Sequence, residues 1–196
     1  MEKLYFEVPG PRREQDALDY VREFREYGSK INGSGGLHRF LDSYEGWLEK
    51  LNEDYAREAN EEKVPARTYF LVRADDDRIV GMINIRLALN ERLKQYGGHI
   101  GFSIRPTERG KGYNKINLYL GLKACDRYGI GTVLMDADLA NPASWRTMEA
   151  LGGTRTREHY DDVYEHCTVV DYTIDVKKAL AEHAGYEDRI LCEDQD

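Results

Sequence analysis

The sequence predicts a mixed α/β (α+β) fold in which helices flank a mostly antiparallel central sheet. Segments with alternating apolar and polar residues, typical of strands, are interleaved with segments whose apolar residues recur every three or four positions, typical of helices. Over residues 98–128 a strand, a glycine-rich turn and a helix follow one another without a break. A strand after that helix completes a crossover unit, so these two strands should lie parallel.

The N-terminal half predicts two helices and the start of the sheet. Pro9-Gly10-Pro11 ends a short first strand, and the acidic turn 74–77 joins the second and third strands into a hairpin. The glycine-rich loop 29–36 lacks the Lys-Ser/Thr pair of a nucleotide loop, which favours a plain linker. The predicted elements are a strand over 4–8, helices over 18–27 and 37–55, and strands over 68–73 and 78–87.

The C-terminal half predicts the crossover unit and a closing strand pair. Asn141 should cap a helix whose first residue is Pro142, and the pair Gly152-Gly153 should end it. After a polar connection over 88–98, the predicted elements are a strand over 99–104, a helix over 113–128, a strand over 132–135, a helix over 142–151, strands over 154–160 and 167–176, and a helix over 177–184.

Composition narrows the class of protein. The 196 residues predict one domain over 1–184, followed by an acidic tail over 185–196 that is expected to be mobile. The formal net charge of −8 argues against a generic nucleic-acid or membrane-surface binder. The three cysteines have no metal-ligand spacing, so no metal site is expected, and they suit a reducing cytosol. No signal peptide or membrane-spanning run is evident, so we expect a cytoplasmic location.

A local basic segment stands out against this acidic background. Residues 105–115 carry a balance of +3, from Arg105, Arg109, Lys111 and Lys115 against Glu108. The segment also contains Gly110 and Gly112 directly before a helix, where unpaired N–H groups and the helix dipole favour anions. We therefore expect one bound polyanion here, although solvated surface charge is an alternative for Arg105 and Lys111.

The turn Arg109-Gly110-Lys111-Gly112-Tyr113-Asn114 and the order of elements resemble the GCN5-related N-acetyltransferase (GNAT) superfamily. Arg109 and Gly112 match the family's Gln/Arg-x-x-Gly-x-Gly/Ala pattern, and Asn114 stands where Gly or Ala is usual. The family's Asn-x-x-Ser motif is present as Asn141 to Ser144. The resemblance spans residues 66–176 and is also close to predicted bacterial acetyltransferases of unassigned substrate.

The resemblance implies an acetyl-CoA-dependent N-acetyltransferase that acts on a primary amine of a small molecule or peptide, and it allows a homodimer. Acetyl-CoA would lie between the two parallel strands, which splay apart in this family. Its pyrophosphate would bind the turn N–H groups, and its pantetheine arm would pair with the strand backbone. The implied cofactor-binding residues are Phe102, Ser103, Ile104, Arg105, Arg109, Gly110, Lys111, Gly112, Tyr113, Asn114, Asn141 and Ser144.

Candidate catalytic groups follow from the chemistry of acetyl transfer. His99 is favoured as general base because an imidazole titrates near neutrality, with a structural histidine as the alternative. Tyr160 or Tyr164 would supply the acid, and a backbone N–H near Ser103 or Ile104 would polarise the thioester carbonyl. The acceptor site has candidate lining residues that are equally consistent with core packing: Phe40, Asp42, Tyr44, Glu45 and Trp47. Two other classes stay open, a non-catalytic acyl-CoA-binding regulatory module and a protein-only interaction domain.

Overall fold

The computed structural model describes residues 2–164 and 166–191. This part of the chain holds seven strands, β1 (Leu4–Glu7), β2 (Ala66–Arg73), β3 (Arg78–Arg86), β4 (Ile100–Ile104), β5 (Thr132–Asp138), β6 (Thr154–Asp161) and β7 (Cys167–Asp175). It also holds six α-helices, α1 (Glu14–Glu26), α2 (Tyr44–Ala56), α3 (Glu91–Gln95), α4 (Tyr113–Arg127), α5 (Pro142–Glu149) and α6 (Val176–Glu182).

The strands form two antiparallel sheets that meet along β4 and β5. One has the order β1-β2-β3-β4 and the other the order β5-β7-β6. At the meeting point the His99 N–H donates to the Leu134 carbonyl at 2.7 Å. Beyond this point the described strands β4 and β5 form no ladder. The predicted splayed strand pair is therefore confirmed, and the region where the two strands do not pair is called the β4–β5 gap below.

Two hydrophobic cores cover the two faces of the first sheet. On one face, Phe70 and Met82 pack with Tyr20 of α1 and Trp47 of α2. On the other face, alternate strand residues such as Ile83 pack against α4. Since successive side chains of a strand point to opposite faces, the largely apolar β2 and β3 supply both cores.

The second predicted helix is wrong at its start. Helix α2 begins at Tyr44, where the Ser43 side chain accepts a hydrogen bond from the Gly46 N–H at 3.2 Å. Residues 37–39 form a separate 3₁₀ turn, and the non-helical backbone of Phe40 (φ −123°) and Ser43 (φ −153°) separates this turn from α2. Tyr44 and Trp47 are core residues, 4% and 0% exposed.

Three other segments carry more structure than their sequence predicts. The loop 29–36 packs closely on β4. At Gly33 the approach is so close that a Cβ would come within 2.4 Å of the Gly101 carbonyl. The polar connection contains α3, which Asn90 caps. In the expected tail, residues 184–189 form a 3₁₀ helix and Ile190 bridges Leu4; residues 192–196 lie outside the described part. No described helix has the length and apolarity needed to cross a membrane.

Candidate active site

The turn between β4 and α4 is open at both of its glycines. Gly110 and Gly112 have φ angles of +78° and +80°, and a Cβ at either position would meet nothing within 4 Å. The glycines are therefore required by backbone conformation and not by a close neighbour within the chain. The surface above the turn is free to receive a ligand.

Helix α4 begins without any internal cap. Gly112 is its N-cap residue, no side chain accepts from its first turn, and that turn contains no acidic residue. The side chains of Ser43, Asn90 and Asp175, by contrast, cap α2, α3 and α6. The N–H groups at the start of α4 are left to bind an anion from outside.

The backbone of β4 faces the β4–β5 gap at two positions. The Arg105 N–H donates to Val80 at 2.9 Å, and the His99 carbonyl accepts from the Arg86 N–H at 2.7 Å. Within β4, the N–H and carbonyl groups of the odd-numbered residues therefore hydrogen-bond to β3. The N–H and carbonyl groups of Phe102 and the N–H of Ile104 consequently point away from β3 and are open to an extended amide-rich ligand, whereas the Ile104 carbonyl accepts from Arg109 Nε at 3.4 Å.

Helix α5 borders the same opening. Asn141 occupies its N-cap position without capping it, and its Nδ2 donates to Ser144 Oγ at 3.0 Å. Asn114 of α4 reaches α5, with its Nδ2 donating to Thr147 Oγ1 at 3.2 Å, while its Oδ1 is buried without a partner. The Asn114 side chain thus joins two helices and leaves the turn above it open.

The basic side chains of the segment bind within the protein. Arg105 is buried, donates to the Asp16 carboxylate and carbonyl at 3.0 Å, and lies over the Tyr20 ring. Its expected side-chain contact with a phosphate is therefore corrected to an anchor between β4 and α1. Lys111 Nζ donates to Glu108 Oε2 at 2.7 Å.

Arg109 and Ser103 also turn towards the N-terminal helices. The Arg109 guanidinium lies 5.3 Å from the centre of the Phe24 ring and donates to Ser29 Oγ at 3.2 Å. Ser103 Oγ donates to the Asn32 carbonyl at 2.5 Å. At this turn the groups left open to a ligand are mainly those of the backbone.

The structure argues against His99 as the general base. Its Nδ1 accepts a hydrogen bond from the Leu134 N–H at 3.0 Å, so the lone pair that would take a proton is already in use. Burial lowers the pKa of His99, and the nearby Arg86 lowers it further, so the imidazole is a weaker base than one in solvent. His99 fastens β4 to β5 through both its backbone and its side chain, which corrects the expected role.

Arg86 and Asp136 complete this junction, and no motif or spacing pointed to either of them. Arg86 Nη1 donates to the carbonyls of Gly97 and Gly98 at 2.8 and 2.7 Å. Asp136 Oδ2 accepts from the Gly97 N–H at 2.6 Å. A Cβ at Gly98 would lie 2.2 Å from the Leu134 carbonyl, so this position requires glycine. The narrow end of the β4–β5 gap is therefore rigidly held.

The structure does not bring Tyr160 to the gap, which corrects its assignment as the acid. The Tyr160 hydroxyl donates to the His166 carbonyl of the same hairpin at 3.0 Å, and its side chain is 63% exposed. Strand β7 also separates β6 from β5. Tyr164 packs against Tyr96 with ring centres 5.1 Å apart.

Comparison with known families identifies the fold and its chemistry. Residues 7–154 match the family model described as the acetyltransferase (GNAT) domain. The chain belongs to this family. It is accordingly an acetyl-CoA-dependent N-acetyltransferase, and the GNAT resemblance inferred from the turn is confirmed. A comparison with curated proteins finds no match.

Solved GNAT structures share this fold at low sequence identity. A chimera of the Vibrio cholerae spermidine N-acetyltransferase SpeG and hSSAT is 14% identical, with 91% of this chain and 98% of that chain covered and a TM-score of 0.65. The ribosomal-protein-S5-alanine acetyltransferase from Vibrio fischeri is 12% identical, with coverages of 87% and 92% and a TM-score of 0.63. At such identities the similarity shows the fold alone.

The GNAT site of this chain has groups that suit acetyl-CoA. The uncapped α4 offers N–H groups to a pyrophosphate. The backbone of Phe102 offers a donor and an acceptor to an amide-rich arm, and Ile104 offers a donor. Among the described residues no group of three or more His, Cys, Asp or Glu side chains is arranged to hold a metal ion.

Proposed function

We propose that this GNAT domain transfers the acetyl group to a primary amine of a small molecule or peptide at the β4–β5 gap. The observation that carries the proposal is the continuity of two binding features. The open backbone groups of β4, which are the N–H and carbonyl of Phe102 and the N–H of Ile104, are followed along the chain by the uncapped N-terminus of α4. One extended ligand with an amide-rich arm and a charged end matches this sequence of groups.

Each predicted cofactor-binding element has a place in the proposal. Of the predicted segment 109–114, the N–H groups of residues 110–114 would hold the pyrophosphate, where the helix dipole also favours negative charge, while the Arg109 N–H donates to the Pro106 carbonyl at 3.4 Å. Asn141 and Ser144 at the start of α5 would border the arm on the side opposite β4. The Arg105, Arg109 and Lys111 side chains act indirectly in this scheme, since they fix the turn through contacts within the protein.

When bound, acetyl-CoA supplies an activated acyl thioester. The N–H groups of Phe102 and Ile104 are the donors positioned to stabilise negative charge that develops on its carbonyl oxygen. His99 acts as a positioning residue, because its two hydrogen bonds to Leu134 fix the distance between the strands at the closed end of the gap. The residues of β4 include no carboxylate, which favours a proton path from the amine through water in the gap.

Release of free thiol from acetyl-CoA tests the proposed reaction. We expect release that depends on an added primary amine across a panel of small amines and peptides with free N-termini, and mass spectrometry should show the acetylated amine. Tight binding of CoA without any amine-dependent release would contradict the proposal. The possible homodimer and the cytoplasmic location stay predictions, and light scattering on the purified chain checks the first.

A further inference from the structure

A cavity of about 210 Å³ lies between α2 and the first half of β2. Its lining comes from α2, from β2 and from the segment that follows β1, and includes no residue of β4, β5 or α4. The cavity is therefore separate from the acetyl-transfer site. Five of its eight lining residues are apolar: Val8, Pro9, Pro11, Leu48 and Leu51.

The cavity exists because β1 is shorter than β2. Strand β1 pairs with β2 only from Phe70 to Arg73, whereas β2 begins at Ala66. Pro9 and Pro11 have no N–H group, so the chain after β1 cannot continue the ladder. The first half of β2 is consequently an open sheet edge along one wall of the cavity.

Backbone groups along this edge point towards the cavity. The Leu87 N–H donates to the Pro65 carbonyl at 2.7 Å, and the register with β3 is regular up to Leu71. The N–H and carbonyl groups at odd-numbered positions of β2 therefore hydrogen-bond to β3. The N–H and carbonyl groups of Ala66 and Thr68 point away from β3, towards the open edge. No described strand pairs with them, so they can bind a polar group of a ligand.

Arg67 lines the cavity and supplies a cation that has no counterion in the described part of the chain. Among the described residues its guanidinium makes no hydrogen bond or ion pair, and its buried Nε has no partner. Its contacts are aromatic, 4.4 Å to the centre of the Tyr55 ring and 6.0 Å to that of Tyr69. Other largely buried arginines differ, since Arg13 pairs with Glu7 at 2.6 Å and Arg73 with Glu108 at 2.8 Å.

We propose that this cavity binds a small organic monocarboxylate with an apolar body. The guanidinium of Arg67 matches a carboxylate in charge and in its paired donors, and the apolar wall suits a short aliphatic or aromatic group. Asn52 and Arg67 both line the cavity, so Asn52 can add a polar contact to the ligand. A free phosphate fits less well, because a single cation and an apolar wall cannot solvate several charged oxygens.

Binding of benzoate, compared with its neutral analogue benzamide, tests the proposal by calorimetry or NMR titration of the intact chain. We expect saturable benzoate binding that is at least about tenfold tighter than benzamide binding, as expected for loss of a charge-assisted hydrogen bond. Arg67→Met should weaken benzoate binding by a similar factor. Arg22→Met is the matched control, since Arg22 is 60% exposed on α1 and lies outside the cavity lining.

A second variant separates binding from folding. Leu48→Phe narrows the cavity while leaving Arg67 in place, and it should also weaken benzoate binding; thermal unfolding of each variant verifies that it folds. Equal binding of benzoate and benzamide, unchanged affinity in Arg67→Met, or no saturable benzoate binding by the wild-type chain would overturn the proposal. None of these readouts depends on acetyl transfer, so they are independent of the proposed reaction.

Discussion

Helices α4 and α6 begin in opposite ways. The Asp175 carboxylate caps α6 by accepting from the Lys178 N–H at 2.9 Å. Helix α4 begins at Gly112 with neither a side-chain cap nor an acidic residue in its first turn. Side-chain caps such as that of α6 satisfy the first N–H groups from within the chain. Helix α1 has no side-chain cap but has Glu14 and Asp16 in its first turn, and α5 shares the uncapped start of α4. The contrast supports the proposal that the start of α4 binds the anionic end of the ligand.

Gly112→Asp breaks this contrast most directly, since it gives α4 a carboxylate at the position that Asp175 occupies in α6. The new side chain competes for the N–H groups and repels a pyrophosphate. We expect the dissociation constant for CoA to rise by about 100-fold or more, equivalent to the loss of one or two charge-assisted hydrogen bonds. Isothermal titration calorimetry measures the change.

Gly129→Asp is the matched control at the other end of α4. Gly129 also has a positive φ, +74°, and a Cβ there would meet nothing within 4 Å, so the substitution introduces the same charge and comparable backbone strain. Its effect on CoA affinity should stay within about threefold. Equal losses in the two variants would show that strain, and not the N-terminus of α4, controls binding.

Two substitutions of His99 test the role of the closed end of the gap, where His99 is proposed to position the strands and not to act as a base. Asparagine can keep an acceptor near the position of Nδ1, so His99→Asn should retain most of the acetyl-transfer rate, whereas a general base would lose about 100-fold or more. His99→Ala leaves the Leu134 N–H without a partner and should lower the free energy of unfolding by about 1–3 kcal/mol. Steady-state kinetics and urea unfolding measure the two effects. A His99→Asn variant that is stable but inactive would show that His99 is the general base.

The same junction predicts a pH dependence of stability. Burial, with a contribution from Arg86, lowers the pKa of His99 in the folded state below its ordinary value of 6.5. The unfolded chain therefore binds the proton first as the pH falls, and the stabilisation present above about pH 6.5 is lost towards lower pH. Urea unfolding at about pH 7.5 and pH 5.5 should show a smaller decrease for His99→Asn than for the wild type. An equal decrease would mean that other groups account for it.

The two ends of the site also differ in how well the sequence predicts them. The turn is contiguous, so glycine spacing, local charge and the following helical period were enough to locate it. The closed end joins distant segments: Arg86, Gly98 and Asp136 meet only after the sheets form. Side-chain direction was equally hidden, because Arg105 finds its partner Asp16 at a separation of 89 residues. The composition of the basic segment could not reveal this contact with a distant residue.

Asn114→Ala tests whether the departure from the family pattern matters. The Asn114 side chain points to Thr147 and carries a buried oxygen without a partner, so its loss removes one weak hydrogen bond and one unsatisfied acceptor together. These effects oppose each other, and the free energy of unfolding should change by less than about 1 kcal/mol. CoA affinity should stay within about threefold. A large loss of affinity would mean that the side chain turns towards the ligand.

Lys111→Ala should have the smallest effect, although charge alone would make Lys111 the first candidate for a phosphate contact. Its ammonium is bound to Glu108, and Arg73 holds the same carboxylate at 2.8 Å. Although burial opposes it, hydrogen bonding to Lys111 and Arg73 keeps the pKa of Glu108 below its ordinary value. Without Lys111, Arg73 still neutralises Glu108, and the N–H groups of α4 are unchanged. CoA affinity should therefore fall by no more than about threefold in calorimetry. A loss as large as that of Gly112→Asp would show that side-chain charge holds the anion, and the contrast between α4 and α6 would then lose its meaning.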